Sequence, residues 1–222
     1  MTGGAEQVLR DGLRSLQLEL DDRQIAQLLT YVAMIGKWTK VYNLTAVRDP
    51  AEMMTHHLLD SLAAVPPLRR QLKTMGLEGG ANLLDVGSGA GLPGVVIAIC
   101  CPTVAVTCVD TVAKKAAFIK QAALELKLGN LVGQHQRVEQ VTESFNVVCS
   151  RAFASLGDFT NWSSSALAPG GVWMAMKGKH PATEIDALDK GINMFHVEQL
   201  TVPGLDAERC IVWMQAFART II

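Results

Sequence analysis

A charge excess is the first thing this chain lacks. Its 222 residues carry 20 lysines and arginines against 21 acids, a formal net charge of −1. A general nucleic-acid binder carries a clear basic excess. Any nucleic acid therefore has to be met by a local patch, and a shaped target is expected rather than naked polymer. Long hydrophobic runs are missing too. The longest, around Val95 to Cys101, is far too short to cross a bilayer, so no membrane partner is expected. The opening residues, MTGGAEQVLRDGLR, hold no apolar h-region, so no secretion signal is expected. Cysteine is sparse and unpatterned. Cys100, Cys101, Cys108, Cys149 and Cys210 are odd in number and none is spaced as C-x-x-C. That excludes a disulfide framework or zinc site and points to buried thiols in a reducing cytoplasm. The chain also lacks metal-ligand spacing, a P-loop, a Ser-His-Asp set, repeats and low-complexity tracts. His56 and His57 are adjacent and cannot both face one site from one helix, so core or capping roles are expected of them.

What is present is an apolar content of 49%, enough for one well-buried α/β domain with an appendage. A monomer is expected. Residues 1–80 read as a helical extension. Ile25, Leu28, Leu29, Val32 and Ile35 recur at helical spacing, and Asp21 with Gln24 resembles a capping box. Pro50 starts a second helix, which Pro66 and Pro67 are expected to end. Residues 81–222 read as the main domain. Candidate strands are Asn82–Val86, Ala105–Asp110, Leu131–Gln134, Phe145–Ser150, Val172–Lys177, Phe195–Val202 and Arg209–Ala216. Helical segments at Gly91–Cys101, Val112–Leu128, Val138–Val141 and Asp158–Leu167 separate the first five. That alternation predicts a parallel sheet with helices on both faces. The last two strands have no long helix between them and should form an antiparallel hairpin at the sheet edge.

The densest signal is LLDVGSGAGLPG, Leu83 to Gly94. Gly89, Gly91 and Gly94 spell the dinucleotide fingerprint G-x-G-x-x-G. Asp85, Gly87, Gly89 and Gly91 spell D-x-G-x-G-x-G, the pattern of S-adenosylmethionine enzymes. Glycines at a strand end clear side chains from a ligand's path, in the crevice where open α/β sheets bind. Gly94, just inside the following helix, permits close packing. A carboxylate at Asp85 repels a pyrophosphate but suits an ammonium and a sulfonium; the alternative is an acid facing solvent. Asp110, ending the second strand, is placed to take the ribose hydroxyls of an adenosine, or to cap the helix near Val112. Val138 and Glu139 are candidates for the adenine ring. Arg151 ends the fourth strand, where a cation can bind a cofactor carboxylate or an RNA phosphate, or simply pair with Glu139 or Asp110. The turn Pro169-Gly170-Gly171 leads to a strand that exits through Lys177, Gly178, Lys179 and His180. Lys37, Lys40 and Arg48 are expected to join Arg151, Lys177 and Lys179 in one basic surface for RNA around the cofactor mouth. Three readings compete: a methyltransferase, a small NAD(P)-dependent oxidoreductase, and a non-catalytic RNA-binding factor on a methyltransferase fold. A sheet that ends in a hairpin with no room for a substrate domain favours the class I methyltransferase.

From Trp38 to Gly178 the blocks WTKVYNLTAVRDPAEMMTHHLLDSL, LLDVGSGAGLPG, VDTVAKKAAFIKQAALEL, QRVE, SRAFASL, PGG and MKG follow one another. In this the chain resembles the bacterial small-subunit ribosomal RNA methyltransferase G family, also called glucose-inhibited division protein B. The resemblance implies a Rossmann-like fold with a seven-stranded, mostly parallel sheet and an antiparallel terminal strand. It implies methyl transfer from S-adenosylmethionine to N7 of a guanine in 16S ribosomal RNA, free or within the small subunit. It also implies cofactor contacts at Gly87, Leu92, Val138, Glu139 and Arg151. Arg151 is the one candidate for a catalytic role, and no metal is implied. Two positions depart from the family pattern. His56 stands where an arginine often precedes the histidine before LLDS, and Cys210 stands where a histidine often follows Glu208-Arg209.

Overall fold

The computed structural model describes residues 2–217. Residue 1 and residues 218–222 of the two expected segments lie outside the described residues. Four helical stretches come first. Helix α1 spans Thr2–Ser15 and α2 spans Asp22–Tyr42. The capping box at the start of α2 is present in both directions: Gln24 N–H donates to Asp21 Oδ1 at 2.7 Å, and Asp21 N–H donates to Gln24 Oε1 at 3.0 Å. Ile25, Leu28 and Ile35 are buried as the spacing predicts. Leu29 and Val32 are half-buried, while Tyr31 and Met34 complete the inner stripe. Full burial of a side chain such as Leu28 contributes about 1.5–3 kcal/mol, so packing rather than propensity holds α2 in place.

The next stretch is less regular. Asp49 caps α3 (Pro50–Met53), which widens into a π-segment at Met54–Leu59 and returns to α4 at Asp60–Leu62. Pro66 and Pro67 do not mark the end of helical structure. They lie in the first turn of α5 (Val65–Thr74), where missing N–H groups cost nothing. The break comes earlier, at Ala63 and Ala64.

The sheet then forms from β1 (Ala81–Val86), β2 (Val104–Asp110), β3 (Leu131–His135), β4 (Phe145–Arg151), β5 (Leu167–Lys177), β6 (Ile192–Leu200) and β7 (Arg209–Ala216). Between them lie α6 (Gly94–Cys100), α7 (Ala113–Glu125), α8 (Leu156–Ser163) and the short α9 (Ala182–Asp186). The order is β3-β2-β1-β4-β5-β7-β6. The first five strands are parallel, and β7 runs antiparallel to both neighbours. Strand β7 is inserted between β5 and β6, so of the hairpin's two strands β6 is the one at the sheet's edge. Pro169-Gly170-Gly171 lies inside β5 rather than before it. The register jumps between Phe145–Leu167 and Val147–Val172, so the Pro-Gly-Gly stretch forms a bulge.

Period-two alternation divides the core between two faces. Leu83, Val147 and Met174 meet α1 to α7, whereas Leu84, Val148 and Trp173 meet α8 and the 138–141 turn. The N-terminal helices thus share one core with the sheet. The topological switch falls between β1 and β4, and the strand ends there set the site.

Candidate functional site

A cavity of about 410 Å³ opens at the C-terminal ends of β1 and β2, bordered by the 138–140 turn and the chain after β4. Asp110 supplies its carboxylate. Oδ2 accepts from Gly89 N–H at 2.9 Å, and Oδ1 accepts from Val112 N–H at 2.8 Å. Lys115 Nζ stands 3.9 Å from Oδ2. Val112, not Asp110, is the N-cap residue of α7. At 6% exposure the carboxylate is held by two backbone N–H groups and lines the cavity. Two vicinal hydroxyls would donate to it.

Next to Asp110 is the glycine loop. Gly87 has φ +64°, and the Phe153 ring fills the space a Cβ would need. Any larger residue would have to displace that ring and adopt a left-handed backbone. Gly91, at φ +85°, leaves room for Val95 and the Tyr31 hydroxyl. Tyr31, fully buried on α2, donates to the loop carbonyls of Ala90 (2.6 Å) and Gly91 (3.1 Å). Burial pushes its phenol well up, so the group stays a donor.

Asp85 departs from the expectation of a carboxylate open to ligand or solvent. It is fully buried beneath the loop and does not line the cavity. Its Oδ2 accepts from Gly94 N–H at 2.9 Å, with Cys108 Sγ at 4.0 Å, while Oδ1 has no partner. Gly94 allows this approach, since a Cβ there would meet Asp85 and Cys108. Burial raises the Asp85 pKa to about 7, against the opposing pull of the Gly94 N–H. Gly91 and Leu92 are likewise buried below the cavity. Gly89 reaches the site through its N–H on Asp110.

Val138 and Glu139 line the cavity from a 3₁₀ turn, Val138–Gln140. Among the described residues, no protein acceptor takes their N–H groups, so the first turn offers two free donors to a ring nitrogen. Two aromatics that the sequence reading passed over complete the wall. Phe153 meets Trp162 edge-on at 5.8 Å, and Trp162 is 39% exposed. Shape, a ribose-suited acid and unpaired donors together suit an adenosyl group.

Arg151 points elsewhere. Ala152 adopts φ +51° and lines both this cavity and a second of about 430 Å³. Phe153 falls into the first and Arg151 into the second. The expected partners of Arg151, Glu139 and Asp110, are not the ones it has. Its Nη1 donates to Asp60 Oδ2 (2.8 Å) and to the carbonyl of His56 (2.9 Å). Asp60 also accepts from Arg209 Nε at 2.8 Å. Lys177 lines the same cavity and donates to Glu184 and to the carbonyl of Ala154, both at 2.8 Å. His57 is buried against it, with Nε2 2.8 Å from Thr45 Oγ1, and its pKa is lowered by burial and by Arg151. Of the remaining basic candidates, Lys179 is exposed just after β5, Lys37 and Lys40 are exposed on the later turns of α2, and Arg48 donates to Asn43. None of these four lines either cavity.

The reversed β7, the glycine loop and the acid ending β2 define a class I methyltransferase fold. Solved methyltransferases share it. Magnesium protoporphyrin IX methyltransferase from Synechocystis PCC 6803, with bound SAM, superposes with TM-score 0.59 at 16% identity over 89% of this chain and 99% of that one. TrmN from Thermus thermophilus gives 0.55 at 17% identity, over 73% and 53%. At such identities the likeness is one of fold. Family follows from sequence. The GidB model, rRNA small subunit methyltransferase G, matches residues 24–212. A ribosomal RNA small subunit methyltransferase G from Polaromonas sp. (strain JS666 / ATCC BAA-500) is 76% identical over 96% of this chain and 94% of its own length. One from Acidovorax ebreus (strain TPSY) is 65% identical over 96% of each. The chain belongs to the rRNA small subunit methyltransferase G family. Among the described residues, no helix is long and apolar enough to cross a membrane.

Proposed function

We propose that this protein, acting in the cytoplasm as a monomer, methylates N7 of one guanine in 16S ribosomal RNA with S-adenosylmethionine. When bound, S-adenosylmethionine supplies a methyl group made electrophilic by its sulfonium. Asp110 is the observation that carries the cofactor reading: a buried carboxylate fixed by two backbone N–H groups and lining a cavity. It takes the ribose hydroxyls. Val138 and Glu139 offer backbone donors to the adenine, and Gly87 keeps the wall clear. Asp85 and Tyr31 act one layer below and hold the loop in shape. Trp162 and Phe153 exclude water from the adenosyl side.

Guanine N7 carries an in-plane lone pair and no proton, so the protein needs no general base. Its work is alignment and desolvation. Arg151, Lys177 and the exposed Lys37, Lys40, Arg48 and Lys179 form the basic approach for the RNA. The test uses 16S ribosomal RNA, free and in small subunits, from cells without this protein. The expected result after incubation with protein and cofactor is 7-methylguanosine at a single position, located by nucleoside mass mapping. A methyl group on another atom, or none in either form, rejects the reading.

A further inference from the structure

Outside both cavities, α2 and α7 lie antiparallel on one face of the sheet. Gln27, near the start of α2, donates to the carbonyl of Leu126 just past the end of α7 at 2.6 Å. Tyr31 and Trp38 pack on Phe118. Tyr42, the last residue of α2, meets Lys114 in the first turn of α7. A row of aromatic rings thus runs from the core to the surface. Phe118 is fully buried, Trp38 is half-buried with its ring 5.3 Å from that of Phe118, and Tyr42 is 46% exposed with its ring 5.1 Å from that of Trp38. Val41 and Val112 beside it are exposed as well. The ring is therefore backed by the core and open to solvent at its outer end. Cations are placed around it. Lys114 Nζ lies over the Tyr42 ring, 5.5 Å from its centre. Arg48 Nη2 donates at 2.8 Å to Oδ1 of Asn43, the residue that follows Tyr42 and caps α2. Acids are scarce here: α2 holds none from Arg23 to Tyr42, and the one acid of α7 is Glu125 in its last turn. Among the described residues, Lys37, Lys40, Lys114 and Lys120 have no carboxylate partner.

We propose that the end of α2 and the start of α7 form a stacking platform for an unpaired nucleotide of the RNA, outside the cleft where the methyl group is transferred. The base stacks on Tyr42, and the adjoining phosphates pair with Lys114 and Arg48. The inference rests on the RNA-methylating reading and adds Tyr42 and Lys114 to it. An aromatic face serves a base that has left its helix, and it serves any base, because every base has a π-face. Lys114 loses no carboxylate partner when it turns from the ring to a phosphate. A protein partner fits this face less well, since lysine is depleted from protein interfaces. A second copy of the chain would set lysine against lysine across a two-fold axis. Lys115, the neighbour of Lys114, lines the adenosyl cavity, so RNA held on the platform passes beside the cofactor mouth. Tyr42, Lys114 and Arg48 line neither cavity.

The test uses unmethylated 16S ribosomal RNA, free and in small subunits, with wild type, Tyr42→Ala, Tyr42→Phe and Lys114→Gln. Equilibrium binding is measured across a salt series, and S-adenosylmethionine binding by calorimetry. Tyr42→Ala should weaken RNA binding roughly tenfold and leave the salt slope unchanged, because stacking releases no counterions. Tyr42→Phe keeps the ring and should bind within about twofold of wild type. Lys114→Gln should lower the salt slope by about one phosphate contact. Cofactor affinity should hold within about twofold in all three variants, and thermal melting reports intact folding. Ultraviolet irradiation of the wild-type complex should cross-link RNA to the peptide that contains Tyr42. Wild-type RNA affinity in Tyr42→Ala, or cross-links confined to other segments, would overturn the inference. So would a loss seen with small subunits but not with free RNA, which would assign the face to a protein partner. RNA binding that depends on Tyr42 without formation of 7-methylguanosine would reject the proposed reaction alone. Methylation with no dependence of binding on Tyr42 would reject this inference alone.

Discussion

Two cavities of similar volume lie side by side at one sheet edge, and they are made in opposite ways. The adenosyl cavity is local. Its glycine loop is continuous, its acid ends the next strand, and its donors sit on one short turn. Its buried acid, Asp110, is fixed by backbone N–H groups, and Lys115, Arg137 and Glu139 also line the cavity. The cationic cavity is assembled from the helical extension, β4, β5 and β7, and its charges are fixed by one another. A cofactor of constant shape suits a rigid site of backbone groups.

The largest effect expected on the first cavity comes from Asp110→Ala. Two hydroxyls lose a charged acceptor, and Gly89 and Val112 lose theirs. Hydrogen bonds to a charged group are worth about 1.5–3 kcal/mol, or roughly ten- to a hundredfold in cofactor affinity. RNA binding should not change. Calorimetry checks the first claim and filter binding the second. Loss of both would mean that the two cavities are one site.

Asp85 gives the next largest effect, and its sign is unusual for a carboxylate. Its folded pKa of about 7 lies above the ordinary value of 3.8, so between those values the folded state binds the extra proton. Stability is then greatest in acid and falls as pH rises through 7. Relative to Asp85→Asn, wild type should lose on the order of a few kcal/mol between about pH 4 and pH 8, in a urea denaturation series. A constant difference across that range would show that the group stays ionised beneath the loop.

Tyr31→Phe is subtler. It removes one buried hydroxyl and leaves the Ala90 and Gly91 carbonyls short of a donor, at a cost of about 1–3 kcal/mol in folding. Because those carbonyls belong to the glycine loop, cofactor KM should rise several-fold while RNA KM holds. Equal changes in both would make Tyr31 a packing residue only.

The same contrast explains what was legible in the sequence. β1, β2 and β7 were readable because apolar alternation and turn residues are local signals. So was the acid at position 110. The partner of Arg151 was not readable, since Asp60 is 91 residues away and spacing says nothing about tertiary pairing. Arg209 passed unnoticed because an arginine at a strand start usually meets only solvent, and the reversal of β7 is what brings it to the site. Asp85 was expected to face a ligand, but Gly94, read as a packing glycine, is what admits its carboxylate under the loop. The Pro66-Pro67 pair misled because proline breaks a helix and starts one by the same missing N–H.

The smallest expected effect is the pH dependence of methyl transfer itself. N7 has no proton to lose, so single-turnover rates with RNA and cofactor saturating should be nearly flat from mildly acid to mildly alkaline solution. An enzyme that used a histidine or raised carboxylate as base would lose rate on the acid side. Two groups near the site can mimic that limb. His57 is the weaker one, because burial and Arg151 push its pKa down. Asp85 titrates near 7, but it touches the loop rather than the cavity. Its ionisation should therefore move cofactor affinity or stability and leave the saturated rate alone. The variants separate these cases. An acid limb that disappears in Asp85→Asn would place the titration in the loop. A limb that survives there and disappears when His57 or His56 is replaced would mean that a side-chain base takes part. Alignment alone would then not account for the reaction.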